Sequence, residues 1–472
     1  MSNRTLHSIA SDILPKHSCS ALSRLFHRHP LQQTIASKQA WLFEVTRRII
    51  IHISLFSLLF VTTHFSSTAQ SNTDTNFIRN KIKGLLTGTL IGDALGGPIE
   101  FQEHPAIQAT PNPPKRWKEG ELITETTLKE ARERIYFREY KYLRPMPEPY
   151  AHWSANAAPG TITDDSRHKI ILMYMLRHAL QKNQWPVSDK TLAQAYLDWS
   201  KSKTIQTHPG YDTLCAQWLD ESYKAINWLF GNREIGKAYP LERLWNALPT
   251  CYGQMALTPI AALYPGEPEK AYLATYHLAY FDNGSAKDMN AALVAGLATG
   301  LTLDPATMNN EYLWNKVFET MKTTDPYAYA KVPWCERSVE RWLNLADLYV
   351  KEAKGSPEKL FERLDKELLN DIKWEAHVPF VLIFSAVKIC NYDPLAALQL
   401  SIEWGWDHDS FAQLLGAFVG AIYGPGIFKE DMKTTITKRL QADYDESIDE
   451  WVSTLTKIQH AAKTKILFKN DR

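Results

Sequence analysis

The sequence is poor in the residues that build several common site types. Its 472 residues include five cysteines, Cys19, Cys215, Cys251, Cys335 and Cys390, and no two form a C-x-x-C pair. Zinc-ribbon and thioredoxin-type chemistry is therefore unsupported. Charge of one sign is also lacking: 53 Lys and Arg stand against 52 Asp and Glu. Without a basic excess there is no footprint for nucleic acid. Strict alternation of apolar and polar residues is scarce, which argues against sheets. No repeat of about 20–50 residues, the mark of a solenoid, stands out. The D-x-D-x-D-G run of an EF-hand loop is missing. The apolar run near the N-terminus, Ile49 to Val61, is too short for a comfortable membrane span.

That run has a context of its own. Arg47-Arg48 precede it, and Ser67-Thr68-Ala69 follow as a small-residue exit. A charged start, a short apolar stretch and small residues describe a secretory signal. The expectation is a leader ending near residue 69, a secreted or periplasmic mature protein, and no membrane anchor once the leader is cleaved. Residues 1–44 are polar and His-rich, unlike an ordinary leader start, which points to a translation start near Val45. The rival readings are a membrane anchor or a buried helix.

From about Gln70 to the C-terminus the chain reads as one helical domain. Apolar residues make up 44% of the sequence, enough for a substantial core. Helical spacing recurs, as in Leu192-Ala193-Ala195-Tyr196-Trp199 and Leu241-Leu244-Trp245-Leu248. Four segments are rich in small or apolar residues. Phe77 to Ile91 leads a series Gly84, Gly88, Gly92 and Gly96 that falls on one helical stripe and admits a second backbone closely. Ala291 to Gly300 and Phe411 to Tyr423 are the second and third, the latter with Gly416 and Gly420. Phe380 to Ile389 is apolar throughout and predicts a buried helix. Close-packed helices of this kind make a compact all-α bundle, not a sandwich or a Rossmann fold. The 15 Trp and 21 Tyr are numbers at which aromatics often line sugar or base sites, but packing accounts for most of them. Residues 104–158 break the helical pattern. Prolines crowd both ends, and Thr126 to Tyr142 alternates charge as an exposed helix does. This stretch reads as an insertion over the surface, either a lid or decoration.

Two acidic clusters carry the chemistry. Gly160-Thr161-Ile162-Thr163-Asp164-Asp165-Ser166 and Gly405-Trp406-Asp407-His408-Asp409-Ser410 each precede a helical pattern. Each sets two carboxylates and a hydroxyl at a helix N-terminus. Capping accounts for one acid per helix. It does not account for two acids and a hydroxyl, repeated. Four converging carboxylates repel one another unless cations neutralise them. Carboxylates with hydroxyls are hard ligands suited to Mg²⁺, Mn²⁺ or Ca²⁺; a D-x-D calcium site is the other reading. A third acid, Glu100, follows the break Gly96-Gly97-Pro98, and Asp93 sits in the preceding helix among small residues, placed to bond a backbone amide or another helix end.

Taken together, Gly92-Asp93-Ala94-Leu95-Gly96 with Glu100, Thr163-Asp164-Asp165-Ser166, and Asp407-His408-Asp409-Ser410 with Gly416, Ala417, Gly420 and Ala421 resemble the ADP-ribosylglycohydrolase family, which includes the dinitrogenase reductase-activating glycohydrolase. The resemblance covers about residues 80–430. It implies an orthogonal all-α bundle with a dinuclear centre of two divalent cations, Mg²⁺ first and Mn²⁺ second. By position, Thr163, Asp164, Asp165, Asp407, Asp409 and Ser410 are the metal ligands. Glu100, Asp164 and Asp165 are the candidate catalytic acids. The implied reaction is hydrolysis of the glycosidic link between ADP-ribose and an acceptor, on a small molecule or a modified protein. Three departures stand out. The family's Gly-Gly-Asp-Thr-Asp-Thr is Gly405-Trp406-Asp407-His408-Asp409-Ser410 here, which makes His408 either an outward-pointing spectator or a substrate contact. The family's Asn-Gly-x-x-Met-Arg loop is degenerate, with Tyr252-Gly253-Gln254-Met255-Ala256-Leu257 as its counterpart and Gly253 and Gln254 as the expected substrate contacts. The insertion widens the gap between Glu100 and Thr163. A glycohydrolase of another ribosyl or glycosyl conjugate, or a non-catalytic relative, fits the same residues.

The leader reading predicts that protein expressed with its native N-terminus matures to begin near Gln70 or Ser71. N-terminal sequencing checks this, and a soluble cytosolic product that retains the residues before Ile49 would contradict it.

Overall fold

A computed structural model describes residues 70–100, 114–138, 158–199, 201, 211–368, 372–462 and 466–469, with the backbone alone for 70–74 and 211–219. The expected leader and the flanks of the expected insertion, 101–113 and 139–157, lie outside the described residues. In chain order the helices are α1 (Gln70–Gly96), α2 (Glu125–Glu133), α3 (Asp164–Lys182), α4 (Asp189–Trp199), α5 (Tyr211–Leu229), α6 (Tyr252–Ala256), α7 (Pro268–Leu278), α8 (Ser285–Gly300), α9 (Asn310–Thr323), α10 (Ser338–Ala353), α11 (Pro357–Glu367), α12 (His377–Ile389), α13 (Pro394–Ser401), α14 (His408–Tyr423), α15 (Glu430–Tyr444) and α16 (Ile448–Ala462). Short 3₁₀ turns and isolated bridges complete the architecture, and no strand forms among the described residues. None of these helices is long and apolar enough to cross a membrane.

Local chemistry sets the helix ends. Asn309, Ser356 and Asp393 cap α9, α11 and α13 through their side chains, satisfying amides that have no partner within the helix. Helices α8, α12 and α14 are buried almost throughout, which is why their sequences show small and apolar residues on every face.

Helix α1 lies against α14 along the glycine stripe. A Cβ on Gly84 would stand 2.2 Å from the Gly420 carbonyl oxygen, and one on Gly88 2.1 Å from that of Gly416. One on Gly92 would stand 1.9 Å from the Ala412 oxygen, and one on Gly96 2.4 Å from the Asp409 nitrogen. Position by position the pairing advances four residues along α1 and retreats four along α14. The helices are thus antiparallel, in backbone contact, with the C-terminal end of α1 against the N-terminal end of α14.

Two expectations differ in outcome. Residues 241–247 form tight 3₁₀ turns rather than a regular helix, with Trp245, Asn246 and Ala247 all at positive φ. Pro240 and Pro249 bracket the segment, and a proline disfavours the helical conformation in the residue before it. The helix expected over Thr126 to Tyr142 is α2, which begins with a capping box on Thr124 and ends at Glu133. It is exposed on one face, with Glu125, Thr126, Lys129, Glu130 and Glu133 in solvent, and docked on the other: Leu128 and Ala131 are buried, Trp117 donates to Glu403 at 2.8 Å, and Arg134 pairs with the same carboxylate at 2.7 Å.

Gly88→Ala or Gly416→Ala is expected to destabilise the protein by about 1–3 kcal/mol or more, because the added methyl meets backbone that cannot move alone. Gly426→Ala, which meets nothing within 4 Å, is the control. Denaturant unfolding measures the difference.

Candidate metal centre

Three helix ends converge on one acidic cluster: the C-terminal end of α1 and the N-termini of α3 and α14. Asp93, on the last turns of α1, faces the start of α3. Its carboxylate accepts from the Thr163 amide at 3.1 Å, the Thr163 hydroxyl at 2.7 Å and the Ser166 amide at 3.1 Å. The Thr163 hydroxyl in turn accepts from the Asp165 amide at 3.2 Å. Capping of α3 is therefore done by Thr163 and Asp93, which leaves Asp164 and Asp165 available. Asp407 occupies the cap position of α14 yet makes no side-chain capping bond.

The freed acids gather in two overlapping sets. Oxygens of Asp164, Asp165 and Asp409 lie within 4.8 Å of one another, and so do those of Glu100, Asp407 and Asp409. Asp409 belongs to both. Ser410 closes the gap between the clusters, its hydroxyl 3.2 Å from Asp165 Oδ1. The structure thus brings together Glu100, Thr163, Asp164, Asp165, Asp407, Asp409 and Ser410. Asp165, Asp407 and Asp409 are buried, whereas Glu100 and Asp164 are half-buried.

Electrostatics follow from this crowding. Burial first, and then the charge of Asp409, push the Asp164 carboxyl up to about 7. Asp165 and Asp407 are pushed well above the ordinary carboxylate range by the same two causes in the same order, and so is Glu100. Asp93 rises to about 6, again through burial and then Asp409. Among the described residues two cations act on the cluster: Arg167, whose charge draws Asp164 down, and Lys169 Nζ, held 2.8 Å from the Asp165 carbonyl oxygen and 2.8 Å from Gln413 Oε1. Burial lowers Lys169 to about 8. Two cations cannot neutralise six crowded carboxyls, so the cluster favours added positive charge. The donors are carboxylates and hydroxyls, a set that suits hard divalent cations.

Other expected contacts fall differently. His408 does not point outward; it is 0% exposed, with Nδ1 2.9 Å from the Trp406 carbonyl oxygen. Trp406 is the 45% exposed residue of that turn. Gly253 and Gln254 are not presented as an open loop. They lie in α6, buried, with the Gly253 amide donating to Asp282 at 2.9 Å and Gln254 Nε2 to the Ala376 carbonyl oxygen at 2.8 Å. A Cβ on Gly253 would come within 2.1 Å of the Asp282 carboxylate, so this glycine serves packing. Two residues of the site escaped the sequence reading. Lys169 is four residues beyond Asp165 on the same helical face, a signal that was available. Cys251, whose Sγ is 3.9 Å from Asp407 Oδ2 and 3.8 Å from the Ser410 hydroxyl, carries no local signal, since tertiary contact alone brings it there.

The chain matches the ADP-ribosylglycohydrolase family over residues 74–463, and it belongs to that family. None of the curated proteins matches it. Family membership supports glycohydrolase activity in general and, with the acidic groups gathered here, a metal centre.

The raised carboxyls set a pH dependence. Without divalent cations the folded state holds protons that the unfolded chain has released, between about pH 4 and pH 7 from the Asp93 and Asp164 values. Stability present at the acid end is therefore lost as pH rises through that window. Chelated protein should melt at a lower temperature at pH 7.5 than at pH 5. Millimolar Mg²⁺ or Mn²⁺ should reverse the order, because ligand binding to the folded state stabilises it. Calorimetric scans at the two pH values read both effects.

Proposed function

We propose that this protein is a secreted or periplasmic, metal-dependent hydrolase that cleaves the glycosidic link between ADP-ribose and an acceptor, with Mg²⁺ or Mn²⁺ as the physiological cation. The observation that carries the reading is the pair of carboxylate sets sharing Asp409. Asp164, Asp165 and Asp409 would hold one cation and Glu100, Asp407 and Asp409 the other, with Thr163 and Ser410 adding hydroxyl oxygens. Such a pair, when bound, supplies Lewis-acid polarisation and orients vicinal hydroxyls and a water.

The protein's own residues do the rest. Buried Asp165, Asp407 and Asp409 hold the anionic field that favours an oxocarbenium-like sugar at the anomeric carbon. Half-buried Glu100 and Asp164 are the acids that solvent and substrate can reach, which suits them to proton transfer. In the balanced reaction the C1″–acceptor bond breaks and a water oxygen bonds to C1″. One water proton passes through Glu100 or Asp164, and the acceptor leaves protonated. Lys169, tied to the Asp165 backbone and Gln413, fixes the helix ends and offsets part of the charge.

A second reading, hydrolysis of a simpler ribosyl conjugate, draws on α6. The Gly253 amide and the Gln254 side-chain amide are already engaged within the protein, so this segment offers little to a diphosphate.

Release of ADP-ribose from a modified peptide should require Mg²⁺ or Mn²⁺ and should stop on chelation. Asp164→Asn, which keeps shape and removes charge, should lower the rate by about 10²-fold or more. Inactivity on arginine-, serine- and O-acyl-linked ADP-ribose combined with cleavage of a simpler riboside would favour the second reading. Activity that survives both chelation and Asp164→Asn would refute the metal mechanism.

A further inference from the structure

Trp406 stands where the backbone asks for glycine. Its φ is +69°, a left-handed conformation that costs an L-residue energy and that glycine adopts freely. It is also the position at which the family pattern has the second glycine of Gly-Gly-Asp. A large aromatic in such a place is held against a local conformational cost, and nearly half of it is exposed, at 45%. Strain of this sort, when it sits beside a site, is a pointer to function.

The location is specific. Trp406 is bonded to Asp407, one of the gathered carboxylates. A second exposed tryptophan, Trp374, at 46%, reaches the same place through its backbone: its carbonyl accepts from the Cys251 amide at 2.8 Å, and Cys251 Sγ lies 3.9 Å from Asp407 Oδ2. The Trp406 ring also has a cation over it, Lys373 Nζ at 5.0 Å from the centroid. Lys373 is 8% exposed, so the face it covers is turned to the protein, and the opposite face is left to solvent.

We infer that Trp406 is a specificity residue that stacks on the leaving group of the substrate and favours a planar cationic acceptor over a small neutral one. The inference rests on the proposed glycohydrolase reading. Reach identifies the group: with its backbone bonded to Asp407, the Trp406 side chain is within its own length of the region around the scissile bond. The base of ADP-ribose is two sugars and a diphosphate away from that bond. An indole face attracts a guanidinium both by stacking and electrostatically, and it offers little to an aliphatic hydroxyl.

The test compares conjugates that share ADP-ribose and differ in acceptor. Trp406→Gly should lower kcat/KM on the arginine-linked conjugate about tenfold, mainly through KM, and leave the serine-linked conjugate within about twofold. Trp406→Phe should recover part of the loss. Because glycine relieves the left-handed strain, the melting temperature of Trp406→Gly should be unchanged or higher. An equal loss on both conjugates, or a lower melting temperature, would show that the ring merely supports the Asp407 turn and would overturn the inference, as would no loss at all. If the wild type cleaves neither conjugate, the functional reading fails and calorimetry with agmatine decides the platform separately. Binding to the wild type that Trp406→Gly loses supports it; no binding, or equal binding, overturns it.

Discussion

The glycine-to-glycine contact between α1 and α14 is the constraint on which the centre depends. Two helices with ordinary side chains at their contact keep their axes about 8–10 Å apart. Removing the Cβ atoms on the α1 side of the seam, and at Gly416 and Gly420 on α14, lets backbone touch backbone. The last pairing of the stripe, Gly96 against Asp409, fixes the axial register of α14 relative to α1. Asp93 and Asp409 are thereby set at one level, and the turn carrying Glu100 follows directly. A looser seam would leave Asp409 unable to belong to both carboxylate sets.

Below that level the same three helices repeat their contact one turn down. Thr89, Lys169 and Gln413 lie four residues from Asp93, Asp165 and Asp409, on the side away from the acidic cluster. The Thr89 hydroxyl donates to Gln413 Oε1 at 3.0 Å, and Lys169 Nζ reaches the same oxygen at 2.8 Å. Spacing of i and i+4 places each pair on one face. An upper layer of acids thus rests on a lower layer of amide, ammonium and hydroxyl. The N-termini of α3 and α14 add their dipoles toward the acids.

Much of this was legible in the sequence because it rests on local rules. The four-residue glycine spacing encodes the close seam, and Thr163-Asp164-Asp165-Ser166 and Asp407-His408-Asp409-Ser410 encode two helix starts with surplus acids. The buried helix over Phe380 to Ile389 follows from an apolar run without a polar face. The rest depends on distant partners. Gly253 looks like a loop glycine until Asp282 is seen against it. His408 has the sequence of a surface residue and is buried because the start of α14 is covered by the end of α1. The segment after Pro240 has helical apolar spacing but is broken by left-handed residues at Trp245, Asn246 and Ala247, and only Leu248 is held from the helical region by the proline after it.

How this chain treats buried acids elsewhere sharpens the meaning of the centre. Asp288 receives Arg337 through two nitrogens, at 2.8 and 2.6 Å, and the Tyr272 hydroxyl at 2.6 Å. Asp282 receives the Gly253 amide and Asn290, and Asp93 receives two amides and a hydroxyl. Wherever a buried carboxylate is structural, the fold brings donors to it, as the cost of an unsatisfied buried charge requires. At the acidic cluster donors are sparse. Asp165 meets the Ser410 hydroxyl, Asp409 the Ser410 amide through one oxygen, and Asp407 a thiol at 3.9 Å, while Asp409 Oδ2 receives none. Capping has been delegated to Thr163 and Asp93, so the surplus is not a by-product of helix ends. A fold that gives its other buried acids several donors each, and these only one or a weak one, leaves them for positive charge brought from outside.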